Sequence, residues 1–312
     1  MKRILPDIKI NLAPASAGGL FLANPVMAAS GTFGYGTEYA ELVDIQRLGA
    51  IVCKGTTFRP KEGNPQPRLM ETPCGVLNSV GLENIGVEAV ICEKAPAWQK
   101  WPVPVLVNIA GETVQEYARI AALLDDVPGV SGLEVNISCP NVVMGGAEFG
   151  VDSRLAAEVT SAVREATSLP LIVKLTPGAA DICEIALAVE AAGADAVCLI
   201  NTVKGMAIDV GRGGVPASKL IGGLSGPAVK PIALYMVYKV AGVVHIPVVG
   251  CGGISCAADA LEFLMAGASA VQVGTAGFSH PRAGIDTLEG ITDFMTDRGI
   301  SKLSDIIGSS RD

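Results

Sequence analysis

The stretch GLEVNISCPNVVMGGAEFGVDSRLAAEVTSAVREATSLPLIVKLTP, residues 132–177, decides the fold. Its two ends, GLEVNIS and LPLIVKLTP, are short apolar runs rich in Val, Ile and Leu that stop at turn residues, as buried strands do. Between them SRLAAEVTSAVREAT sets apolar residues at helical spacing. Strands alternating with helices call for a parallel sheet.

The same unit recurs along the chain. PVMAAS (from Pro25), GAIVCKG (from Gly49) and VPVLVNIAG (from Val103) come before it, and ADAVCLINT (from Ala194), IPVVGCGG (from Ile246) and ASAVQVGT (from Ala268) come after. TVQEYARIAALLDD and CAADALEFLMAGA are further helical patterns. Eight strand-like runs in 312 residues predict an α/β protein, a single (β/α)8 TIM barrel domain over residues 1–312. A doubly wound sheet is the structural rival. Residues 56–84 and 204–226 exceed ordinary connections and begin at strand C-terminal ends, so they are expected as long insertions at the C-terminal rim, where barrel enzymes build their sites.

Half of the residues are hydrophobic, enough for a large core. The net charge of −8 and scattered Lys and Arg residues give no footprint for nucleic acid. Mean hydropathy is +0.45, but the most apolar stretches carry Glu184, Glu190 and Asp195 before reaching spanning length, so no membrane span is expected. The opening MKRILPDIKI meets Pro6, Asp7 and Lys9 before an apolar core develops, which argues against a secretion signal and for the cytoplasm. Eight cysteines (53, 74, 92, 139, 183, 198, 251 and 256) show no paired ligand spacing, and His245 and His280 add none. Reduced thiols and no metal are expected, in keeping with a reducing compartment.

The strand ends carry groups that barrel packing alone would not select. Ser30, Lys54, Asn108, Asn136, Cys139, Lys174, Asn201 and Thr202 would face one rim. An unpaired buried lysine costs several kcal/mol or turns neutral, so two converging on one cavity suggest an anionic guest. The competing reading for either alone is a snorkelling side chain, which the pair of them weakens. Gly252, Gly253, Gly274 and Thr275 would expose backbone N–H groups at helix starts, a phosphate cup, although glycines also serve as plain turn punctuation. Neither histidine is an obvious base. A thiol such as Cys139 can be poised for proton transfer where lysines or N–H groups stabilise its thiolate; the competing reading is an inert core cysteine.

ASGTFGYG, KGTT…GNPQPR, NSVGLEN, VNISCPN, VKLTP, INT, GGLSG, GCGGIS and VGTAGF stand in the order found in class 1 dihydroorotate dehydrogenases. The whole chain resembles the catalytic subunit of the NAD-linked subclass, class 1B. The resemblance implies FMN across the barrel mouth. Gly252, Gly253, Gly274 and Thr275 would take its phosphate with Gly226 nearby, and Ser30, Lys54, Gly55, Asn108, Asn136, Lys174 and Ile200 would surround the rest. It implies dihydroorotate as substrate, held by Lys54, Asn78, Ser79, Val80, Gly81, Leu82, Asn136, Asn141, Asn201 and Thr202, with Cys139 as general base and orotate as product. The loop CPNVVMGGAEFG resembles the family's mobile cover over the substrate.

For electron transfer the resemblance implies a partner subunit carrying FAD and a [2Fe–2S] cluster that passes electrons to NAD+, and a dimer of this chain within a heterotetramer. The chain has neither a paired cysteine framework nor a G-x-G-x-x-G after a strand with which to hold those centres itself. A fumarate-using homodimer, class 1A, is the alternative within the family. Outside it stand a non-redox phosphate-binding barrel and a non-catalytic assembly subunit.

Overall fold

Each of the eight predicted strand runs forms a strand in the computed structural model, which describes residues 6–138, 140–141, 147–209 and 218–311. We label them β1 (Val26–Ala28), β2 (Ala50–Val52), β3 (Val105–Ile109), β4 (Gly132–Asn136), β5 (Leu171–Leu175), β6 (Ala196–Leu199), β7 (Val248–Cys251) and β8 (Ala270–Val273). Neighbours in sequence are neighbours in space, all parallel, and β8 closes onto β1. The barrel is the predicted (β/α)8 form, and the doubly wound alternative falls with its closure.

Side chains along a strand alternate between two faces. Val105, Val107 and Ile109 join the apolar layer under the helices, with Tyr117 and Ile120 of helix Val114–Leu124. The intervening parity points inward: Met27, Ala50, Val52, Leu106, Ile172, Ala196, Cys198, Val249 and Ala270 form a second buried cluster. The helices start where their caps fix them. Thr113 accepts a hydrogen bond from the Glu116 N–H, and Asp152 accepts one from the Leu155 N–H to begin helix Ser153–Ala166.

The N-terminal end of the barrel is stoppered by its own chain. A short hairpin pairs Ile10–Asn11 with Phe21–Leu22, and Leu12, Ala13, Leu20 and Leu22 pack into the inner cluster. Asp195, just before β6, ties this hairpin down: its carboxylate accepts from Ser16 Oγ at 2.6 Å, Arg164 Nη1 at 3.1 Å and the Leu171 N–H at 2.8 Å. The open end is therefore the one formed by the strand C-termini.

The two insertions meet there. Strands Leu69–Thr72 and Gly75–Asn78 of the first join strands Val203–Asp209 and Ser218–Ser225 of the second in one antiparallel sheet, with Gly223 opposite Asn78 and Leu224 opposite Leu77. Sequence marked both as rim insertions; their mutual pairing is a long-range contact that no local pattern announces.

Replacing Asp195 by Ala would strip a buried carboxylate from three donors and leave Arg164 without its ion partner. The expected loss is about 3 kcal/mol, read as a lower denaturation midpoint in urea.

Candidate active site

At the C-terminal ends the inward parity turns polar. Leu106 is followed by Asn108, Ile172 by Lys174, Val52 by Lys54 and Ala270 by Gln272. At the centre of this layer lies Glu134 of β4, with no exposed surface. Its Oε1 accepts from Asn108 Nδ2 at 2.7 Å and Ser30 Oγ at 2.9 Å, with Lys174 Nζ at 3.5 Å. Its Oε2 accepts from Gln272 Nε2 at 2.5 Å. Lys174 Nζ also donates to Gln272 Oε1 at 3.0 Å and Ser30 Oγ at 3.3 Å. Thus Ser30, Asn108 and Lys174, all anticipated, meet around two residues that were not, Glu134 and Gln272.

Burial disfavours the charge on Lys174, but Cys251 and Glu134 outweigh it and hold its pKa above the ordinary lysine value. Cys198 and Cys251, on neighbouring strands, interact beside it: burial raises the Cys198 thiol, whereas the hydrogen bond from Cys198 lowers that of Cys251. Cys53 points the other way into the core, where burial pushes its thiol up to about 12. The seven described cysteines are all free, and no cluster that could hold a metal ion occurs among the described residues.

Asn136 and Asn201 meet across the mouth. Asn201 Nδ2 donates to Asn136 Oδ1 at 3.1 Å and Ser138 Oγ at 3.0 Å, and its Oδ1 accepts from the Thr202 N–H at 2.8 Å. Thr202 lies against Gly223 of the rim sheet, where a Cβ would strike its hydroxyl. Asn78 donates Nδ2 to the Gly223 carbonyl at 3.0 Å and so links the two insertions. Of the remaining predicted substrate-loop residues, Ser79 bonds Asn64, Val80 accepts from the Asn64 N–H, and Gly81 and Leu82 take left-handed backbone. Lys54, like Lys174, is paired rather than free. Its Nζ lies 3.4 Å from Glu83, which also meets Arg68 at 3.0 Å, and these cations lower the Glu83 pKa. Only one of the two lysines is buried in the mouth.

Cys139 lies outside the described residues, as do residues 142–146 of the loop that follows it. Asn141 is described as backbone only, in a two-residue strand Pro140–Asn141 paired with Ala147–Glu148. Glu148 at the loop's far end accepts from Thr176 Oγ1 at 3.3 Å.

The predicted glycines gather on the β7 and β8 side. Gly252 and Gly253 have φ of 132° and 75°, and a Cβ on Gly253 would strike the Lys230 N and the Gly226 carbonyl. Thr275 donates Oγ1 to Ser225 Oγ at 2.9 Å and packs near Gly226. One expectation is corrected: Gly252 and Gly253 do not start a helix, because the next one spans Ala257–Met265. They form the turn before it, while Thr275 does sit at a helix start, before Ala276–Ser279. Gly55 lies against Asn108, and the buried Ile200 donates its N–H to the Cys251 carbonyl. His245 is exposed before β7, and His280 bonds Asp286 at 2.5 Å on the outer helix Ala283–Asp297.

A closed barrel whose open mouth gathers a buried ion pair, facing carboxamides and a glycine-lined turn has the form on which barrel enzymes build their sites. Comparison with known proteins names the group. The dihydroorotate dehydrogenase family profile matches residues 14–295, which include all eight barrel strands, and the chain belongs to that family. It is 53% identical over 303 residues to the protein of Desulforamulus reducens called dihydroorotate dehydrogenase B (NAD(+)), catalytic subunit, covering 97% of this chain and 99% of that one. Proteins of the same name from Pelobacter propionicus and Geobacter metallireducens are 51% and 50% identical, covering 97% and 99% of this chain and 98% and 99% of theirs.

Asp259 secures the glycine turn. It bonds Lys230 at 2.7 Å and the Ser255 N–H and hydroxyl. Burial opposes its charge, but those bonds prevail and bring its pKa down to about 2, against about 3.9 for a free aspartate. Its contribution is therefore present above about pH 4 and lost as pH falls toward 2. Asp259→Asn should lower stability at neutral pH and flatten the acid limb of the stability curve between pH 4 and 2, measured by denaturant titration.

Proposed function

We propose that this chain is one FMN-binding barrel domain that oxidises (S)-dihydroorotate to orotate, a step of pyrimidine synthesis, and passes the electrons to NAD+ through a partner subunit. The observation that carries the reading is Lys174, a buried ammonium at the mouth of a barrel that belongs to this family by sequence. The donor set suits FMN: a fixed positive charge would match the negative charge of a reduced flavin, Ser30, Asn108 and Asn136 would offer it polar groups, and Gly226, Gly252 and Gly253 stand where a Cβ would strike Gly75, Ala233 and Lys230. Lys54, Gly55 and Ile200 complete the flavin side, and Gly226, Gly252, Gly253, Gly274 and Thr275 take the phosphate.

Bound FMN supplies the hydride acceptor. The chain supplies the rest. Asn78, Asn136, Asn141 and Asn201, with Thr202 and the backbone of residues 79–82, present donors and acceptors to the alternating N–H and C=O edge of the substrate. Lys54 answers its carboxylate, exchanging Glu83 for it. The Cys139 thiolate takes the proton from C5 as hydride leaves C6, and the C5=C6 bond of orotate forms. Closure of residues 139–150 over the substrate excludes water from this step.

The three relatives are called catalytic subunits of an NAD(+) enzyme, which supports a partner and disfavours the fumarate-using homodimer. The partner would carry FAD and a [2Fe–2S] cluster and would flank a dimer of this chain in a heterotetramer. Among the described residues no helix is long and apolar enough to cross a membrane. Cytoplasmic residence is part of the proposal.

Dihydroorotate added anaerobically to the purified protein should bleach a flavin absorbance band. Cys139→Ala should keep the band and slow its bleaching by about 10²–10⁴-fold, the usual worth of a positioned general base, in stopped-flow absorbance. A colourless protein, or undiminished bleaching in the variant, would refute the reading.

A further inference from the structure

We propose that Glu134 is a positioning residue that acts through Lys174, fixing its charge and its aim at the mouth and thereby setting how strongly the protein favours the reduced cofactor. The inference rests on the reading that FMN occupies the mouth. No part of that reading assigns a role to Glu134.

Glu134 is met only by donors. Asn108, Ser30 and Lys174 converge on one oxygen and Gln272 on the other, from β3, the end of β1, β5 and β8. An ionised carboxylate is acceptor only, so this arrangement suits the charged form. Packing does not require it. A leucine would fill a barrel interior at less cost than a buried ion, and a buried ion pair is weak evidence of stabilisation in itself. What the carboxylate does supply is a counter-charge to an ammonium that burial would otherwise neutralise. Gln272 closes the ring, giving Nε2 to Glu134 and taking Lys174 Nζ on Oε1, so the ammonium is held from two sides.

The charged or titratable groups facing Lys174 are Glu134 from β4, Cys198 from β6 and Cys251 from β7; Ser30 and Gln272 are neutral, and Cys53 senses Glu134 from the outer side of β2. Removing the carboxylate has two consequences of opposite sign. While Lys174 keeps its proton, an uncompensated positive charge favours the reduced, anionic flavin. With its counter-charge gone, however, that proton is lost within the accessible pH range, and the advantage goes with it.

The test is redox potentiometry of the bound flavin from pH 6 to 9, in a Cys251→Ser background so that this thiol cannot contribute, comparing Glu134 with Glu134→Gln. FMN content by absorbance is the control for the site itself. At pH 6 the variant should show about a tenfold higher ratio of reduced to oxidised flavin at a given potential, equivalent to about 30 mV for a two-electron couple. Its potential should then fall more steeply with pH than the parent's until the gap closes. Parallel curves, offset or not, would overturn the proposal. If Glu134→Gln alone does not fold, the double variant Glu134→Gln/Lys174→Met removes both charges together. It should unfold at a higher temperature than Lys174→Met, which strands the carboxylate; a lower temperature would overturn the partnership. A parent protein without flavin would instead bring down the cofactor reading, and this inference with it.

Discussion

The ion pair between Glu134 and Lys174 sits where a barrel ordinarily keeps only aliphatic side chains, and much of the mouth is arranged around it. Neither charge is tolerable there alone, since each would face several kcal/mol of desolvation. Together, with Ser30, Asn108 and Gln272 bonding the carboxylate and Ser30 and Gln272 the ammonium, they form a closed polar ring that touches β3, β4, β5 and β8 and the end of β1. The ring also orients the groups above it. Asn108 gives its amide downward to Glu134, which leaves its carbonyl oxygen turned toward Gly55.

Such a ring needs a dry, rigid floor, and the lower half of the barrel provides one. Met27, Leu106, Ile172, Val249 and the hairpin residues Leu12 and Leu22 are fully buried in one cluster. Water cannot reach Glu134 from below, so the dielectric around it stays low and its interaction with Lys174 strong. Asp195 contributes at a distance by fixing the hairpin that seals this end.

Strand by strand, the sequence made this much plain because a parallel barrel is written in short-range terms: each strand is a buried run and each helix an amphipathic one. Lys174 stood out as a cation amid LIVKL, and Ser30, Asn108, Asn136 and Asn201 as polar groups ending apolar runs. Glu134 and Gln272 carry the same alternation, two residues before Asn136 and two after Ala270, but no local signal sets them apart. They lie inside the runs LEVN and AVQV rather than at the ends that form the rim. Cys198 and Cys251 are far apart in sequence and become neighbours only because β6 pairs with β7. Likewise, the pairing of Asn78 with Gly223 and the capture of Lys54 by Glu83 depend on how the insertions fold back, which periodicity does not encode.

The two lysines of the mouth thereby acquire different characters from their partners' burial. Lys174 is locked: its counter-ion has no exposed surface and cannot move without breaking the ring. Lys54 is less constrained: Glu83 is 46% exposed and shared with Arg68, so water and Arg68 can satisfy the carboxylate without it. On the proposed reading, with a resident cofactor and an exchanging substrate, this contrast would set a fixed charge beside the one and an exchangeable charge beside the other. The difference follows from where the carboxylates stand: Glu134 is part of a barrel strand, and Glu83 belongs to an insertion at the rim.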